Sequence, residues 1–208
     1  MHQLVSNVHL IADSTFTMRP DDKKVANLSP GRESVRLVSN DLFGDGVYIF
    51  DIDHIPLGCG VVRFLFVPSS SASLTQFQWP AAWTTTVKQW PWGGEIDVVE
   101  GANSLGNKSI PTVLQSQANT TTHGNLNSVS LHAAPNCYVA AANTSTLTTM
   151  TGNLNSADCS GLSPGNVGCS VQIPGPSLGI NFNSGGGGVY AMWRDLQKCV
   201  QFALQLNT

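Results

Sequence analysis

Charged residues are scarce in this sequence, and positive charge is the scarcer sign. Asp, Glu, Lys and Arg make up 11% of the 208 residues, with 10 Lys and Arg against 13 Asp and Glu and a formal net charge of −3. No basic run occurs, which argues against a nucleic-acid surface, so we expect no nucleic-acid partner. No apolar stretch reaches the ~18 residues that a membrane-spanning helix needs, so we expect no membrane partner.

The sequence also lacks the spacing of a metal or cofactor site. Its five cysteines form no C-x-x-C pair, and no cluster of His, Cys and Asp has ligand spacing. We therefore expect no metal and no cofactor. The opening residues, MHQLVSN, lack the charged start and apolar core of a signal peptide, so we expect none within this chain.

Other features predict an extracellular location. Sequons for N-glycosylation occur at Asn27, Asn107, Asn119 and Asn143. Loop-like surroundings that suit disulfides across long connections are found at Cys59, Cys137, Cys159 and Cys169. Four cysteines allow three connectivities, and the sequence leaves all three open. The fifth cysteine, Cys199, lies in a segment unlike the rest of the chain.

Short alternating runs separated by turn residues dominate the chain, which predicts an antiparallel β-sandwich in a single domain. The predicted strands are Thr15–Arg19, Ser34–Ser39, Val47–Asp53, Glu95–Val99, Val129–His132 and Val189–Trp193. No long amphipathic helix is predicted before residue 194. The polar segments 103–128 and 138–185 are predicted to be loops of the same domain. We expect the protein to be a monomer.

Three carboxylates lie within six positions of one β-branched run. Glu95, Asp97 and Glu100 alternate with Ile96, Val98 and Val99, and such a run favours a strand. Like charges this close are costly, because one carboxyl group is forced to hold its proton. A glycosidase needs one ionised carboxylate and one protonated carboxylic acid beside a sugar bond. The alternative is an acidic strand that merely faces solvent.

The strand period adds a condition to the glycosidase interpretation. Glu95 and Asp97 share a face of a regular strand, whereas Glu100 points to the opposite face. One β-bulge between Asp97 and Glu100 would return Glu100 to the first face. The two glutamates would then be roughly 5–5.5 Å apart, the separation of a retaining enzyme. Glu95 is then the nucleophile, Glu100 the general acid/base, and Asp97 a support for Glu95.

Tryptophans flank the acidic strand, and here the sequence resembles a known family. The motifs W-P-A-A-W-T-T-T at 79–86 and W-P-W-G-G-E-I-D-V-V-E-G-A-N at 90–103 are similar to the core of fungal laminarinase-type endo-β-1,3(4)-glucanases of glycoside hydrolase family 16. Weaker similarity extends over roughly residues 10–193. The resemblance implies an all-β jelly-roll sandwich of the concanavalin A type, with a sugar-binding cleft on one sheet.

Carried over position by position, the resemblance implies the roles given above for Glu95, Asp97 and Glu100. It also implies sugar contacts from Trp83, Trp90, Arg36 and His132. Each of these four has an alternative. The two tryptophans could be core aromatics, Arg36 could lie on the solvated side of a strand, and His132 could be a structural histidine.

Two segments depart from the family pattern. Val61–Gln78 separates blocks that are nearly contiguous in the family, and we expect residues 62–78 to be translated intron, because their ends can be encoded by splice-site sequences and their length keeps the reading frame. The alternative is a genuine surface loop. Residues 195–208 are predicted to be a tail foreign to the family domain (1–194), and Leu196, Val200 and Leu204 fall at helical spacing. The tail stands where the family has further strands, and the N-terminus is expected to start inside the family domain, so we expect a sandwich that is incomplete at both ends.

The leading functional hypothesis is a retaining endo-glycosidase that hydrolyses β-1,3- or mixed β-1,3/1,4-glucans through a covalent glycosyl-enzyme intermediate. Its expected partner is a β-glucan polysaccharide or oligosaccharide. A second hypothesis is a catalytically silent carbohydrate-binding protein or residual gene product of the same fold. A third is a cell-wall transglycosylase, which uses the same carboxylates. Because terminal strands are expected to be missing, we expect the chain as written to fold poorly and to show little activity.

Overall fold

The computed structural model describes residues 8–10, 15–18, 35–56, 80–86, 89–101, 126–139, 152–195 and 199–206. The chain divides into two compact units, the first made of Met1–Phe43 and Gly60–Gln78 and the second of Gly44–Cys59 and Trp79–Thr208. The elements within the described residues are β1 Val8–Leu10, β2 Phe16–Met18, β3 Gly46–Ile52, β4 Ala81–Thr85, β5 Glu95–Glu100, β6 Ser128–His132, β7 Asn153–Ser156, β8 Cys169–Gln172, the helix α1 Gly179–Ser184, β9 Gly188–Asp195 and β10 Cys199–Leu206.

In the first unit, β1 pairs antiparallel with β2. The strand predicted at Ser34–Ser39 is wrong, because residues 35–39 adopt no regular structure. Ser39 donates its hydroxyl to the carbonyl of Asp41, which favours a local turn over a ladder. Leu37 and Val38 are 51% and 74% exposed, so the apolar alternation here does not produce a buried face.

The described residues of the second unit form two antiparallel sheets. One has the strand order β10-β9-β3 and the other the order β4-β5-β6-β8-β7. A core of apolar side chains joins them, to which β5 contributes Ile96, Val98 and Val99 and β9 contributes Tyr190 and Met192. The opposite face of β5 and β6 carries polar residues, as expected when one sheet face is packed and the other is not. The predicted antiparallel all-β sandwich is thus confirmed.

The C-terminal segment differs from its expected helical form. Residues 199–206 form β10, which pairs with β9 through eight consecutive residues from Cys199↔Asp195 to Leu206↔Gly188. The sequence CVQFALQL also alternates with period two, and pairing along the whole of β9 overrides the helical spacing. Segment 138–185, predicted to be loop, likewise contains β7, β8 and α1. The expected intron segment, 62–78, lies outside the described residues.

Within the described residues, the α-helix α1 is six residues long. No helix in that part of the chain is long and apolar enough to cross a membrane.

Candidate active site

Residues 89–94 form a turn before β5 and present two tryptophans. Thr86 N–H donates to the Gly94 carbonyl at 3.1 Å, and Trp92 N–H donates to the Gln89 carbonyl at 2.8 Å. Gly94 has φ +83°, a conformation that favours glycine. Trp90 and Trp92, which lie in this turn, are 39% and 61% exposed.

The predicted β-bulge is confirmed, and its extra residue is Val98. Ala82 pairs with Val99 and the next residue of β4, Trp83, pairs with Asp97, so Val98 has no partner in the β4–β5 register. The side-chain alternation of β5 therefore shifts by one residue. Glu100 returns to the face of Asp97 in this register, and the apolar side chain of Val98 stays in the core at 1% exposed.

Asn127 supplies hydrogen bonds at the bulge. Its side-chain Nδ2 donates to the Val98 carbonyl at 2.7 Å, and its Oδ1 accepts from the Glu100 backbone N–H at 2.9 Å. Asn127 is fully buried, so both bonds are shielded from water. Ser177 Oγ accepts from the Asn127 backbone N–H at 2.8 Å and fixes the position of this residue. The amide thus takes the place of a strand partner for the bulged residue.

Strand β6 brings hydrogen-bond donors to two of the three carboxylates, Asp97 and Glu100. Ser130 is paired with Asp97, and its hydroxyl lies 2.6 Å from Glu100 Oε2 and 3.1 Å from Asp97 Oδ2. His132 is paired with Glu95, and its Nε2 lies 3.1 Å from Asp97 Oδ2. Asp97, Ser130 and His132 are buried, which strengthens these polar contacts.

The loop between residues 159 and 169 lies against His132 and Trp90. Asn166 Oδ1 lies 3.1 Å from His132 Nδ1, and the Trp90 ring is 6.3 Å from the imidazole between centroids. Gly161 permits this approach, because a β-carbon there would come within 3.1 Å of the Trp90 ring. A Cys159–Cys169 disulfide closes the loop. The loop therefore forms part of the support of the site.

The disulfide settles one question that the sequence leaves open. Cys159 and Cys169 are bonded to each other, ten positions apart in the chain, and Cys137 carries a free thiol. Cys59 lies outside the described residues. The observed bond closes a short loop, unlike the long connections predicted from the loop-like surroundings.

Burial and charge shift two pKa values in the site. Burial raises the pKa of Glu95, and the neighbouring Asp97 carboxylate raises it further, whereas the charge of His132 lowers it. The hydrogen bond to Asp97 raises the pKa of His132 above its ordinary value, and burial opposes this rise. An imidazolium donates from both ring nitrogens, and His132 has an oxygen atom at hydrogen-bonding distance from each.

Glu95, Asp97 and His132 could also act as metal ligands on geometric grounds. One ligand atom of each lies within 4.8 Å of the others. Carboxylate and imidazole suit several divalent cations. However, the Asp97–His132 pair already uses a nitrogen and an oxygen of this set for its hydrogen bond. The absence of a metal stays a prediction.

The four residues predicted to contact sugar have different surroundings in the structure. Trp83 is half-buried and paired with Asp97, and Trp90 packs beside His132. Arg36 is exposed and belongs to the first unit, so its sugar contact stays a prediction. His132 is only 4% exposed with protein atoms at both ring nitrogens, which is the geometry of a supporting residue, and its sugar contact also stays a prediction.

Sequence reasoning missed Asn127, Ser130 and Asn166. Ser130 could have been found from its position two residues before His132 on a predicted strand, since both then share one face. Asn127 and Asn166 lie in Asn-, Ser- and Gly-rich segments in which nothing distinguishes them from turn residues.

Carboxylates gathered on the polar face of a β-sandwich are what a glycosidase requires. Comparison with known proteins agrees with this class. The model of the XgeA-like, catalytic GH16 domain family matches residues 3–202, and the chain belongs to this family. A probable endo-1,3(4)-beta-glucanase of Neosartorya fischeri is 35% identical over 191 residues, which are 90% of this chain and 23% of that protein.

Solved structures of the same class are also similar to this chain. GH16 Laminarinase 16A from Phanerochaete chrysosporium, with beta-glucans in both donor and acceptor sites, is 32% identical, with a TM-score of 0.66 and coverage of 92% of this chain and 51% of that chain. An elongating GH family 16 beta-1,3-glucosyltransferase is 28% identical, with a TM-score of 0.68 and coverage of 97% and 54%. The predicted jelly-roll fold is confirmed. The chain spans about a quarter of the curated relative and half of each solved chain.

Proposed function

We propose that this chain carries the catalytic site of a retaining endo-glycosidase that hydrolyses β-1,3- or mixed β-1,3/1,4-glucans. The bulge at Val98 is the observation that carries the proposal, because it returns Glu100 to the face of Asp97. Clustered carboxylates cost stability because like charges repel. A binding protein gains nothing in return, whereas a catalyst needs the carboxylates for its chemistry. The catalytically silent alternative is therefore less well supported.

The geometry suits a double displacement. In the first step the Glu95 carboxylate attacks the anomeric carbon, and the glycosidic bond breaks as Glu100 gives its proton to the leaving oxygen. In the second step the Glu100 carboxylate takes a proton from water, whose oxygen attacks the anomeric carbon and releases Glu95. The two carboxyl groups of a retaining enzyme are roughly 5–5.5 Å apart, and this separation stays a prediction for Glu95 and Glu100.

The positive charge of His132 favours the ionised form of Glu95 that a nucleophile requires. Glu95 must be ionised to act as nucleophile, although burial and Asp97 raise its pKa. The positive charge of His132 acts against that rise, and the raised pKa of His132 keeps the charge in place at mildly acidic pH. Asp97 acts on both Glu95 and His132, because its charge raises the pKa of Glu95 and its Oδ2 accepts a hydrogen bond from His132 Nε2. His132 is therefore proposed to support the nucleophile through charge.

A glucan substrate fits the aromatic residues near the carboxylates. Trp90 is partly exposed beside the buried His132, and Trp83 shares the face of Asp97. Aromatic rings bind the C–H-rich faces of sugar rings. The similar proteins are a probable endo-1,3(4)-beta-glucanase and a laminarinase, which supports a β-1,3-linked substrate.

Transfer to a sugar acceptor is a second candidate function. It is favoured by the beta-1,3-glucosyltransferase of the same family, which covers 97% of this chain with a TM-score of 0.68. Both reactions share the glycosyl-enzyme intermediate and differ in whether water or a sugar hydroxyl attacks it. Products longer than the substrate would assign the transfer reaction.

An extracellular location is also proposed, because disulfides such as Cys159–Cys169 persist in oxidising compartments.

The proposal is tested by incubating the purified protein with laminarin and lichenan while recording the first product anomer by proton NMR. Retention predicts β-anomers that mutarotate later, together with a rise in reducing ends. Initial α-anomers would contradict a double displacement. Absence of new reducing ends with both glucans, in a protein whose circular dichroism shows folded β-structure, would favour the silent carbohydrate-binding alternative.

A further inference from the structure

The hydroxyl of Ser130 contacts two carboxylates of the site and has a single proton to donate. The distance from Ser130 Oγ is 2.6 Å to Glu100 Oε2 and 3.1 Å to Asp97 Oδ2. Asp97 Oδ2 already has a donor in His132 Nε2 at 3.1 Å. The shorter distance lies in the range of a charge-assisted O–H···O⁻ bond, roughly 2.5–2.7 Å. The proton of Ser130 is therefore assigned to Glu100.

Burial and register fix this hydroxyl in place. Ser130 is 3% exposed and lies in the middle of β6, paired with Asp97 on one side and with Ser170 on the other. Its side chain must therefore point to the face that carries the carboxylates. Glu100 ends β5 and is only half-buried, so its carboxyl group gains orientation from this bond.

Resting on the function proposed above, we propose that Ser130 is the positioning residue of the general acid/base. Its hydroxyl donates to Glu100 Oε2, holds the carboxyl group beside the scissile bond, and stabilises the carboxylate that forms when Glu100 gives its proton to the leaving oxygen. A donor to the charged form lowers the pKa of a carboxylic acid. Ser130 thus keeps the general acid strong enough to protonate a sugar oxygen.

The test compares Ser130→Ala with Ser170→Ala in the full chain. Ser170 is the matched control, because it lies directly opposite Ser130 on β8 and is also 3% exposed. On laminarin, Ser130→Ala should lower kcat on the order of 10-fold, a part of the 10²–10⁴-fold that general acid–base catalysis contributes. The alkaline limb of its kcat/KM profile should move to higher pH, because the pKa of Glu100 rises. Ser170→Ala should move neither quantity.

Two further measurements separate positioning from packing. With a dinitrophenyl β-laminaribioside, whose leaving group needs no proton, the formation of the glycosyl-enzyme should be nearly unaffected by Ser130→Ala. A ¹³C NMR titration of the Glu100 carboxyl carbon should show a higher midpoint in Ser130→Ala than in the unsubstituted chain, whatever the turnover rate. An unchanged midpoint, or equal losses with laminarin and the activated substrate, would overturn the proposal.

The failure of this proposal and the failure of the proposed function give different results. If Glu100→Ala retains activity on laminarin, the assignment of the acid/base is wrong, and the role of Ser130 fails with it. If Glu100→Ala loses activity and azide restores turnover of the activated substrate, the proposed function stands. An unchanged pH profile in Ser130→Ala would then overturn the inference about Ser130 alone.

Discussion

Replacement of Asn127 by Ala should destabilise the domain and misplace the general acid/base together. The substitution removes the donor to the Val98 carbonyl and the acceptor of the Glu100 N–H, at 2.7 and 2.9 Å. A buried polar group left unsatisfied costs about 1–3 kcal/mol. The Val98 carbonyl is buried, whereas Glu100 is only half-buried, so we expect a loss of about 2–4 kcal/mol in the free energy of unfolding.

The effect on catalysis should exceed that of equal destabilisation elsewhere. Asn183 provides the control, because its Oδ1 accepts from the Ile55 N–H and its Nδ2 donates to the Ile55 carbonyl, both at 2.9 Å. Asn183→Ala should lose comparable stability and keep the kcat of the folded fraction. Asn127→Ala should lose about 100-fold in kcat, the cost of a misplacement of about 1 Å.

Urea unfolding followed by tryptophan fluorescence gives the stability of each variant, and laminarin hydrolysis per folded molecule gives kcat. If Asn127→Ala loses less than about 1 kcal/mol, near the value of one ordinary hydrogen bond, the amide does not hold the bulge. Equal kcat losses in the Asn127 and Asn183 variants would show that stability alone accounts for the effect.

Three further predictions concern the charges and the disulfide. His132→Gln keeps a donor to Asp97 but removes the charge that lowers the pKa of Glu95, so the acidic limb of kcat/KM should move to higher pH; an unmoved limb would contradict this. Glu95→Gln should abolish turnover. It should also raise the melting temperature, by more at pH 7 than at pH 4, because the pKa of Glu95 is raised in the folded protein and its ionisation at a pH above the unfolded-state pKa therefore costs stability. Equal melting temperatures of the variant and the unsubstituted chain at pH 7 would refute this. Replacing Cys159 and Cys169 by Ser should lower stability by about 2–3 kcal/mol and reduce kcat through the loop against His132, whereas unchanged unfolding would exclude a stabilising role.

The catalytic strand was predictable because its signals are local. An acidic, β-branched run predicts a strand, and the need to place Glu100 with Glu95 and Asp97 predicts the bulge that the β4 register contains. The supporting residues were not predictable in this way. Asn127 acts on a strand 27 positions before it in the chain, and no periodicity marks an amide that replaces a ladder partner.

The sequence pattern did not predict strands whose formation depends on pairing with a neighbouring strand. Val200 and Leu204 of β10 lie at helical spacing, yet β10 pairs with β9 along its full length, and the gain from completing the ladder outweighs a weak helical preference. The error at residues 35–39 has the opposite cause. Alternation was present there, but Leu37 and Val38 remain exposed and give the segment no buried face.

The most direct test of the account is to identify the residue that becomes covalently bound to the sugar. A 2-deoxy-2-fluoro-β-laminaribiosyl fluoride reacts with the nucleophile and slows release of the intermediate, because fluorine destabilises both oxocarbenium-like transition states. Protease digestion and mass spectrometry of the labelled protein then locate the sugar. The account predicts a single label on Glu95. A label on Asp97 or Glu100, or a folded protein that takes up no label, would contradict it.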